Sequence, residues 1–223
     1  MTIDRERTVG ELAVEYPLAT RVFARHGIDF CCGGGKPLGE VCEAKQLEPE
    51  KLLEEIRHEL AKGESEPERW GEAPIDDLVE HTLFAYHRPL DEELPRLEAM
   101  ARKVFKVHHE KDEATLSEVL SVYLGLKAEL EQHMAKEEQI LFPMIKQGQG
   151  AMADGPIAVM LEEHDGAGAA LARLRSLTKD FEPPAEACNT WRALWAGLAD
   201  LEKSLHQHIH LENNILFPRV LDS

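Results

Sequence analysis

Two stretches of the chain share residues that could bind a metal ion. HMAKEEQILFP (residues 133–143) and HIHLENNILFP (residues 208–218) match at six of eleven positions and begin 75 residues apart. In each, a histidine precedes a glutamate by four residues, so on a helix both side chains lie on one face. An imidazole and a carboxylate placed in this way form half of a metal site. A single pair is more often a chance polar pair on a core helix. The repetition favours metal binding, because a buried glutamate without a partner is costly.

The elements that carry these pairs are predicted to be long helices. From Pro74 onward apolar residues recur with the helical period, which predicts four helices at about residues 75–108, 113–146, 156–180 and 185–220. The breaks between them are short, and short connections imply antiparallel neighbours. The sequence therefore predicts an all-α fold in which residues 74–223 form an up-down four-helix bundle.

The spacing of apolar residues also predicts which face of each helix points inward. In the second and fourth helices these residues alternate at steps of four and three, and both His–Glu pairs fall in the series, which continues to Ile140 and Met144 in the second helix. His87 and His164 face inward on the first and third helices. The midpoints between successive histidines fall in or beside the helix connections, so the four imidazoles should lie at one level. The predicted ligands of a dinuclear site are His87, His133, Glu137, His164, His208 and Glu212. Such ligands suit iron, and manganese or zinc are also compatible.

The other histidines of the bundle are predicted to lie outside this site. His108 is on the inward face but 21 residues from His87, which is about 31 Å on a straight helix. The remaining four are predicted to lie off the inward face or in solvent: His81, His109, His206 and His210. Pro143 and Pro218 stand inside their predicted helices and should kink them just past the site.

Two further glutamates lie beside predicted ligands. Glu129 is one turn before His133 on the same helix, and Glu163 adjoins His164. Both could orient ligands or line an entry path. The alternative is that they are ordinary solvated side chains.

The N-terminal segment, residues 1–62, is predicted to form a small helical domain, followed by a polar linker at residues 63–73. Its sequence DFCCGGG places Cys31 and Cys32 before three glycines, which exclude regular structure and allow a close backbone approach. The pair could be reactive or metal-binding thiols, or simply two small buried residues beside a turn. The spacing of all four cysteines fits no disulfide framework, so we expect thiols at Cys31, Cys32, Cys42 and Cys188.

Composition excludes several classes of function. The 223 residues carry a net charge of −17, which disfavours binding to nucleic acid or to anionic membranes. No apolar run approaches the ~18 residues needed to span a bilayer, and the N-terminus has no hydrophobic signal region. We therefore expect a cytoplasmic protein.

Taken together, the motifs resemble those of the repair of iron centres family, the di-iron proteins of the YtfE, ScdA and DnrN type. The resemblance covers essentially the whole chain and rests on DFCCGG, AYHRPLDEELPRLEAMARKV, HMAKEEQILFPMIKQG, GPIAVMLEEHD, PPAEAC and HIHLENNILFPR. It implies an N-terminal cysteine-bearing domain and a hemerythrin-like bundle with two non-haem irons, bridged by oxo or carboxylate groups. The implied ligands coincide with the six named above, and the family also has acidic residues matching Glu129 and Glu163 and a cysteine pair matching Cys31 and Cys32.

The resemblance implies a stress-response protein that donates iron to iron–sulfur clusters damaged by nitric oxide or oxidants. Its implied partners are damaged iron–sulfur proteins or a cluster scaffold, with nitric oxide as a further ligand and a homodimer left open. Two alternatives are an enzyme that reduces nitric oxide and a gas sensor. Oxygen-carrying hemerythrins have a histidine one turn after the third-helix ligand, where this chain has Gly168. This departure favours exchange or redox chemistry over oxygen carriage.

Overall fold

A computed structural model describes residues 3–61 and 70–223 and confirms the all-α fold. Within these residues the backbone forms helices and no strand, and an isolated bridge joins Thr8 and Pro37. Most of the predicted linker, up to residue 69, lies outside the described residues. The same described part contains no helix that combines the length and the apolar character needed to cross a membrane.

The chain divides into two compact units. The first unit comprises the residues up to Leu78 together with His206–Ser223, and the second unit is Val79–Leu205. The boundary near residue 205 falls inside a continuous helix. The domain limits predicted from the sequence, 1–62 and 74–223, stay a prediction.

Short helices build the N-terminal part of the first unit: α1 (Val9–Glu15), α2 (Ala19–Arg25), α3 (Leu38–Ala44) and α4 (Pro49–Ala61). Thr8 caps α1 in a capping box with Glu11, which satisfies backbone donors at the helix start. At the end of α2, Gly27 adopts φ +59°, and the Ile28 amide donates to the Phe23 carbonyl at 2.8 Å. This is a Schellman ending, which requires the left-handed conformation that glycine adopts without strain. The core between these helices contains fully buried Leu12, Phe23, Leu38 and Ile56.

The second unit is built from four long helical segments. Their parts are α5 (Ile75–Thr82) and α6 (Arg88–His108), α7 (Glu113–Lys136) and α8 (Phe142–Lys146), α9 (Asp154–Leu177), and α10 (Asn189–Leu211). The residues of α5 up to Leu78 and those of α10 from His206 belong to the first unit. A short 3₁₀ turn, Gly150–Met152, precedes α9. After α10 the chain ends in α11 (Phe217–Leu221). These bounds agree with the predicted helices to within a few residues.

Side-chain contacts show that neighbouring helices of the second unit are antiparallel. Glu98 of α6 meets Lys127 of α7, whereas His87, earlier in the chain, meets the later Glu138. Across α7 and α9, Glu118 pairs with Arg173, whereas Lys136, later on α7, pairs with Glu163, earlier on α9. The helices therefore form the predicted up-down bundle, and its core is lined by the predicted inward residues, among them Leu90, Leu94, Leu97, Val119, Tyr123, Leu126, Ile157, Leu171, Leu194 and Leu198.

Three of the long helical segments contain a π-helical turn, and each turn has the same relation to a proline. The turns are Leu83–His87, Glu137–Leu141 and Glu212–Leu216, and each is followed by one residue and then by Pro89, Pro143 or Pro218. A proline inside an α-helix lacks an amide donor and clashes with the carbonyl four residues earlier. In a π-turn the hydrogen bonds join residues five apart, so the helix is wider and has room for the proline ring. The distortion predicted at Pro143 and Pro218 is thus present as a π-turn that ends two residues before each proline.

The π-turn in the second segment shifts the inward face by one residue relative to the predicted helix. Ile140, predicted to point inward, is 52% exposed, whereas Leu141 is 1% exposed. Met144 is likewise only partly buried, and Ile145 takes the buried position. The prediction was wrong here because it assumed 3.6 residues per turn throughout the helix.

The hydroxyl of fully buried Tyr123 donates to the Leu94 carbonyl at 2.8 Å, which predicts a modest stability loss for Tyr123→Phe. Losing one buried hydrogen bond should lower the free energy of unfolding by about 1 kcal/mol. Leu126→Ala, at another core position, should cost roughly 2–5 kcal/mol because it leaves a cavity. Urea denaturation of both variants at equal iron loading measures the two values. A Tyr123→Phe loss as large as that of Leu126→Ala would contradict the assignment.

Candidate metal centre

Four of the six predicted ligands come together inside the second unit. Glu137 Oε2 lies 3.3 Å from His87 Nε2 and 3.4 Å from His133 Nε2. His133 Nε2 in turn lies 3.1 Å from His164 Nε2. Three helical segments thus bring imidazole nitrogens together around one carboxylate. Such a group of nitrogen and oxygen donors is typical of a metal site.

The local structure explains how each side chain reaches this point. Glu137 is the first residue of the π-turn in the second segment, and His87 is the last residue of the π-turn in the first. His133 lies one turn before Glu137 on α7, and His164 lies near the middle of α9. π-turns often occur at functional sites because the added residue redirects side chains.

Burial provides a test of whether these residues fit a cation. Their exposed fractions are 0% for His87 and Glu137, 4% for His133 and 2% for His164. Among the described residues, no hydrogen bond reaches either carboxylate oxygen of Glu137. An isolated carboxylate in such a place costs several kcal/mol. A bound cation would offset that cost, and a nitrogen and oxygen donor set of this kind suits iron.

Two outer carboxylates fix the imidazoles. His133 Nδ1 lies 2.9 Å from Glu163 Oε2, and Glu163 also pairs with Lys136. His87 Nδ1 lies 3.0 Å from Glu138 Oε1. A proton held on Nδ1 leaves the Nε2 lone pair directed inward, which is the common arrangement of metal-binding histidines. Burial alone would raise the pKa of Glu163, but hydrogen bonds from Lys136 and His133 lower it overall.

Glu138 was not among the residues predicted from the sequence. Its only signal is that it follows the predicted ligand Glu137, and adjacent helical positions point in different directions. Glu129, by contrast, is exposed, and in the described part of the chain no hydrogen bond or ion pair joins it to a predicted ligand. Its predicted role stays a prediction.

The remaining two predicted ligands lie in the first unit. His208 Nε2 is 2.9 Å from Glu212 Oε1, and the side chains are 2% and 0% exposed. Glu212 begins the π-turn Glu212–Leu216, as Glu137 begins its own. The repeated sequence motif therefore produces a repeated local structure: a buried histidine on an α-helix and, one turn later, a buried glutamate that opens a π-turn.

The cysteine loop of the first unit packs against this π-turn. Asn214 lies within it, and its Nδ2 is 3.4 Å from the carbonyl oxygens of both Phe30 and Cys31. A Cβ on Gly10 would lie 2.6 Å from Asn214 Oδ1, and one on Gly34 would lie 2.8 Å from the Phe30 carbonyl. The predicted close approach at the glycine run is thus real, and it anchors the loop on the turn that carries Glu212.

His210 corrects a prediction, because it is buried and not solvated. The side chain is 8% exposed, its Nδ1 lies 3.3 Å from the Phe30 carbonyl, and the two rings are 5.5 Å apart. His206 is half-buried beside the same ring. Burial lowers the pKa of His210 to about 4, although the hydrogen bond to Phe30 acts in the opposite direction.

The other residues singled out by the sequence lie as follows. His108 Nε2 contacts Cys188 Sγ at 3.2 Å, away from the four-ligand cluster of the second unit. His81 and His109 are half-buried beside aromatic rings. Each of the four cysteines is a free thiol, as expected.

The two cysteines of the loop differ in burial: Cys31 is buried and Cys32 half-buried. The hydrogen bond with Cys32, followed by burial and the charge of Asp29, raises the pKa of Cys31 above that of an ordinary thiol.

Comparison with known proteins agrees with this geometry. Residues 78–220 match the family described as Hemerythrin HHE cation binding domain, a range that contains all six predicted ligands. Residues 5–60 match the ScdA_N family, a domain of unknown function. The chain is 44% identical over 220 residues to the iron-sulfur cluster repair protein YtfE of Musicola paradisiaca, with 97% of both chains covered. The proteins of that name from Pectobacterium atrosepticum and Escherichia coli are 43% and 44% identical over the same length and coverage.

Glu163→Gln should weaken iron binding by roughly 10-fold to 100-fold, because the carboxylate that orients His133 is lost. The measurement is the iron retained by the loaded protein against a competing chelator. Glu162→Gln is the matched control, since Glu162 is exposed on the same helix, and it should retain iron as the parent protein does. Equal retention by the two variants would refute the orienting role of Glu163.

His210 should make the first unit less stable in acid. Its folded-state pKa of about 4 lies below the ordinary 6.5, so the unfolded chain takes up the proton first. The contribution is complete above about pH 6.5 and is lost as pH falls toward about 4. Between pH 7.5 and pH 5 the parent should lose on the order of 2 kcal/mol more than His210→Gln. Urea denaturation of both at the two pH values measures the difference, and parallel losses would rule out this histidine as the cause.

Proposed function

The chain belongs to the family of YtfE-type iron–sulfur cluster repair proteins, and on that premise we propose that it repairs damaged iron–sulfur clusters by donating iron from a dinuclear centre. The family carries a hemerythrin-like di-iron domain, and the chain has one at residues 78–220. We propose further that the damage arises from nitrosative or oxidative stress in the cytoplasm. The clients would be iron–sulfur proteins or a cluster scaffold. Self-association into a homodimer stays a prediction.

The observation that carries the proposal is the buried carboxylate of Glu137. It faces the imidazoles of His87 and His133 at 3.3 and 3.4 Å, and both its oxygens are without a hydrogen bond in the described residues. A carboxylate in this position can bridge two cations. The second motif supplies an equivalent carboxylate, Glu212, which has its own imidazole at 2.9 Å.

We propose that the two motifs supply one centre with the ligands His87, His133, Glu137, His164, His208 and Glu212. The support is that all six are buried, that they fall within one family match, and that hairpin spacing predicts a common level for the four histidines. When bound, the irons provide exchangeable cations with open coordination positions. Gly168 offers no side chain one turn after His164, so this position contributes no further ligand.

The residues of the chain then have separate tasks. Glu138 and Glu163 hold protons on the Nδ1 atoms of His87 and His133, so that each Nε2 is a lone-pair donor. Glu137 and Glu212 would hold the two irons together as shared carboxylate ligands. Protonation or displacement of one bridging carboxylate removes a negative charge from the centre and weakens its hold on the cargo. Retention and release therefore depend on carboxylates more than on the imidazoles.

Iron transfer to a client tests this proposal. The protein is loaded with labelled iron and mixed anaerobically with a ferredoxin-type client whose cluster has been damaged by nitric oxide. Recovery of the client's cluster and transfer of label should exceed those seen with the same amount of free chelated iron. Transfer no greater than that baseline would exclude iron donation.

Glu212→Gln should abolish this repair, because an amide offers no negative charge and bridges poorly. We expect the iron content to fall from about two per chain to one or less. Glu131→Gln, an exposed substitution on α7, is the matched control and should repair as the parent does. Nitrous oxide formed from nitric oxide and a reductant, without client repair, would instead identify a nitric oxide reductase.

A further inference from the structure

A second group of metal-binding side chains lies in the first unit, in the cysteine loop. Asp29, Cys31 and Cys32 offer a carboxylate oxygen and two sulfurs that all lie within 4.8 Å of one another. The Asp29 Oδ1 atom is 3.1 Å from Cys31 Sγ, and the two sulfurs are 3.9 Å apart. None of the three belongs to the histidine and glutamate motifs described above.

These distances fit a single coordinated cation. Two thiolates bound to one tetrahedral ion at about 2.3 Å are separated by roughly 3.8 Å, close to the 3.9 Å observed. A disulfide would need about 2.05 Å. We propose that Asp29, Cys31 and Cys32 form a second metal site, which binds one thiophilic divalent transition-metal ion through two sulfurs and one carboxylate oxygen.

The loop holds these donors in position before any ion binds. Asp29 Oδ1 accepts hydrogen bonds from the amides of both Cys31 and Cys32 at 3.0 Å. The Gly34 carbonyl accepts from the Gly10 amide at 2.7 Å, and Asn214 contacts the Cys31 carbonyl. The loop is thus fastened at both ends, to α1 and to the π-turn Glu212–Leu216. Because the loop is already ordered, ion binding should cost little conformational entropy.

The same environment disfavours a nucleophilic role for Cys31. The residue is 4% exposed, and its sulfur is hydrogen-bonded to a carboxylate. Reactive cysteines lie beside positive groups that stabilise the thiolate, whereas this sulfur faces a negative one. The Asp29 carboxylate repels a thiolate, but a bound cation would attract the carboxylate and both thiolates.

The site would bind its ion exchangeably. Three donors leave a fourth tetrahedral position open, and Asp29 is exposed while Cys32 is half-buried, so another ligand has access from solvent. If the proposed repair function holds, on which this assignment of the natural ion rests, the ion is ferrous iron in transit. The presence of the site does not depend on that function.

Cobalt binding tests the proposal directly. The full-length, iron-loaded protein, kept reduced and anaerobic, is titrated with Co²⁺ alone. A thiolate-to-cobalt charge-transfer band should appear in the near ultraviolet and saturate at one equivalent. The histidine and glutamate centre contains no sulfur and cannot produce this band, even if cobalt enters it.

Variants complete the test. Cys32→Ser should abolish the band. Asp29→Asn replaces a charged ligand with a neutral amide and should weaken cobalt binding by at least about 10-fold, the smallest loss expected even for a residue that only orients a ligand. Cys188→Ser is the matched control, because this exposed cysteine lies in the second unit, and it should leave the band unchanged. Circular dichroism and the iron content of each variant show whether the fold and the di-iron centre are intact.

Two results would overturn the second site. One is the absence of the band in the parent protein at excess cobalt, and the other is a band that survives Cys32→Ser but disappears in Cys188→Ser. Either result would leave the iron content and the client repair of the same samples unaffected. Failure of repair with a normal cobalt band would instead reject the proposed function and keep the site.

Discussion

The structure depends on the burial of a carboxylate among imidazoles. Glu137 has no exposed surface and lies 3.3 and 3.4 Å from two histidine nitrogens. Without a cation this arrangement costs free energy, because the charge has left water and, in the described residues, gains no hydrogen bond in exchange. A bound cation would offset this cost, because it would attract the carboxylate directly. The helices of the second unit thus converge on a buried group whose surroundings suit a cation.

Three of the predicted ligands lie at points where prolines distort the helices. Each of the three π-turns stands one residue before a proline and carries a predicted ligand at one of its ends: His87, Glu137 or Glu212. The proline makes a regular helix unfavourable at that point, and the extra residue changes the direction of the side chains around it. A feature that would destabilise an ordinary helix is thus repeated where ligand direction matters.

The first unit combines the two ends of the chain, and this has a consequence for the cysteine loop. Asn214 and His210, on either side of Glu212, contact the backbone of Phe30 and Cys31. A change in the loop therefore reaches the Glu212 π-turn through direct contacts.

The sequence by itself determined the fold class, the approximate helix bounds and the burial of all six predicted ligands. Helical periodicity is local, so the spacing of His133 and Glu137, or of His208 and Glu212, specifies one face without knowledge of the neighbours. Only the tertiary structure decided which side chains meet across helices. Glu138 reaches His87 from another segment, and His210 is covered by Phe30, which lies 180 residues away. Ile140 turned outward because a π-turn departs from the regular period. Contacts between distant segments leave no periodic signal, so no pattern in the chain could predict them. Pro143 did indicate a distortion of the helix, but a proline alone does not specify a π-turn or the one-residue shift of the buried face.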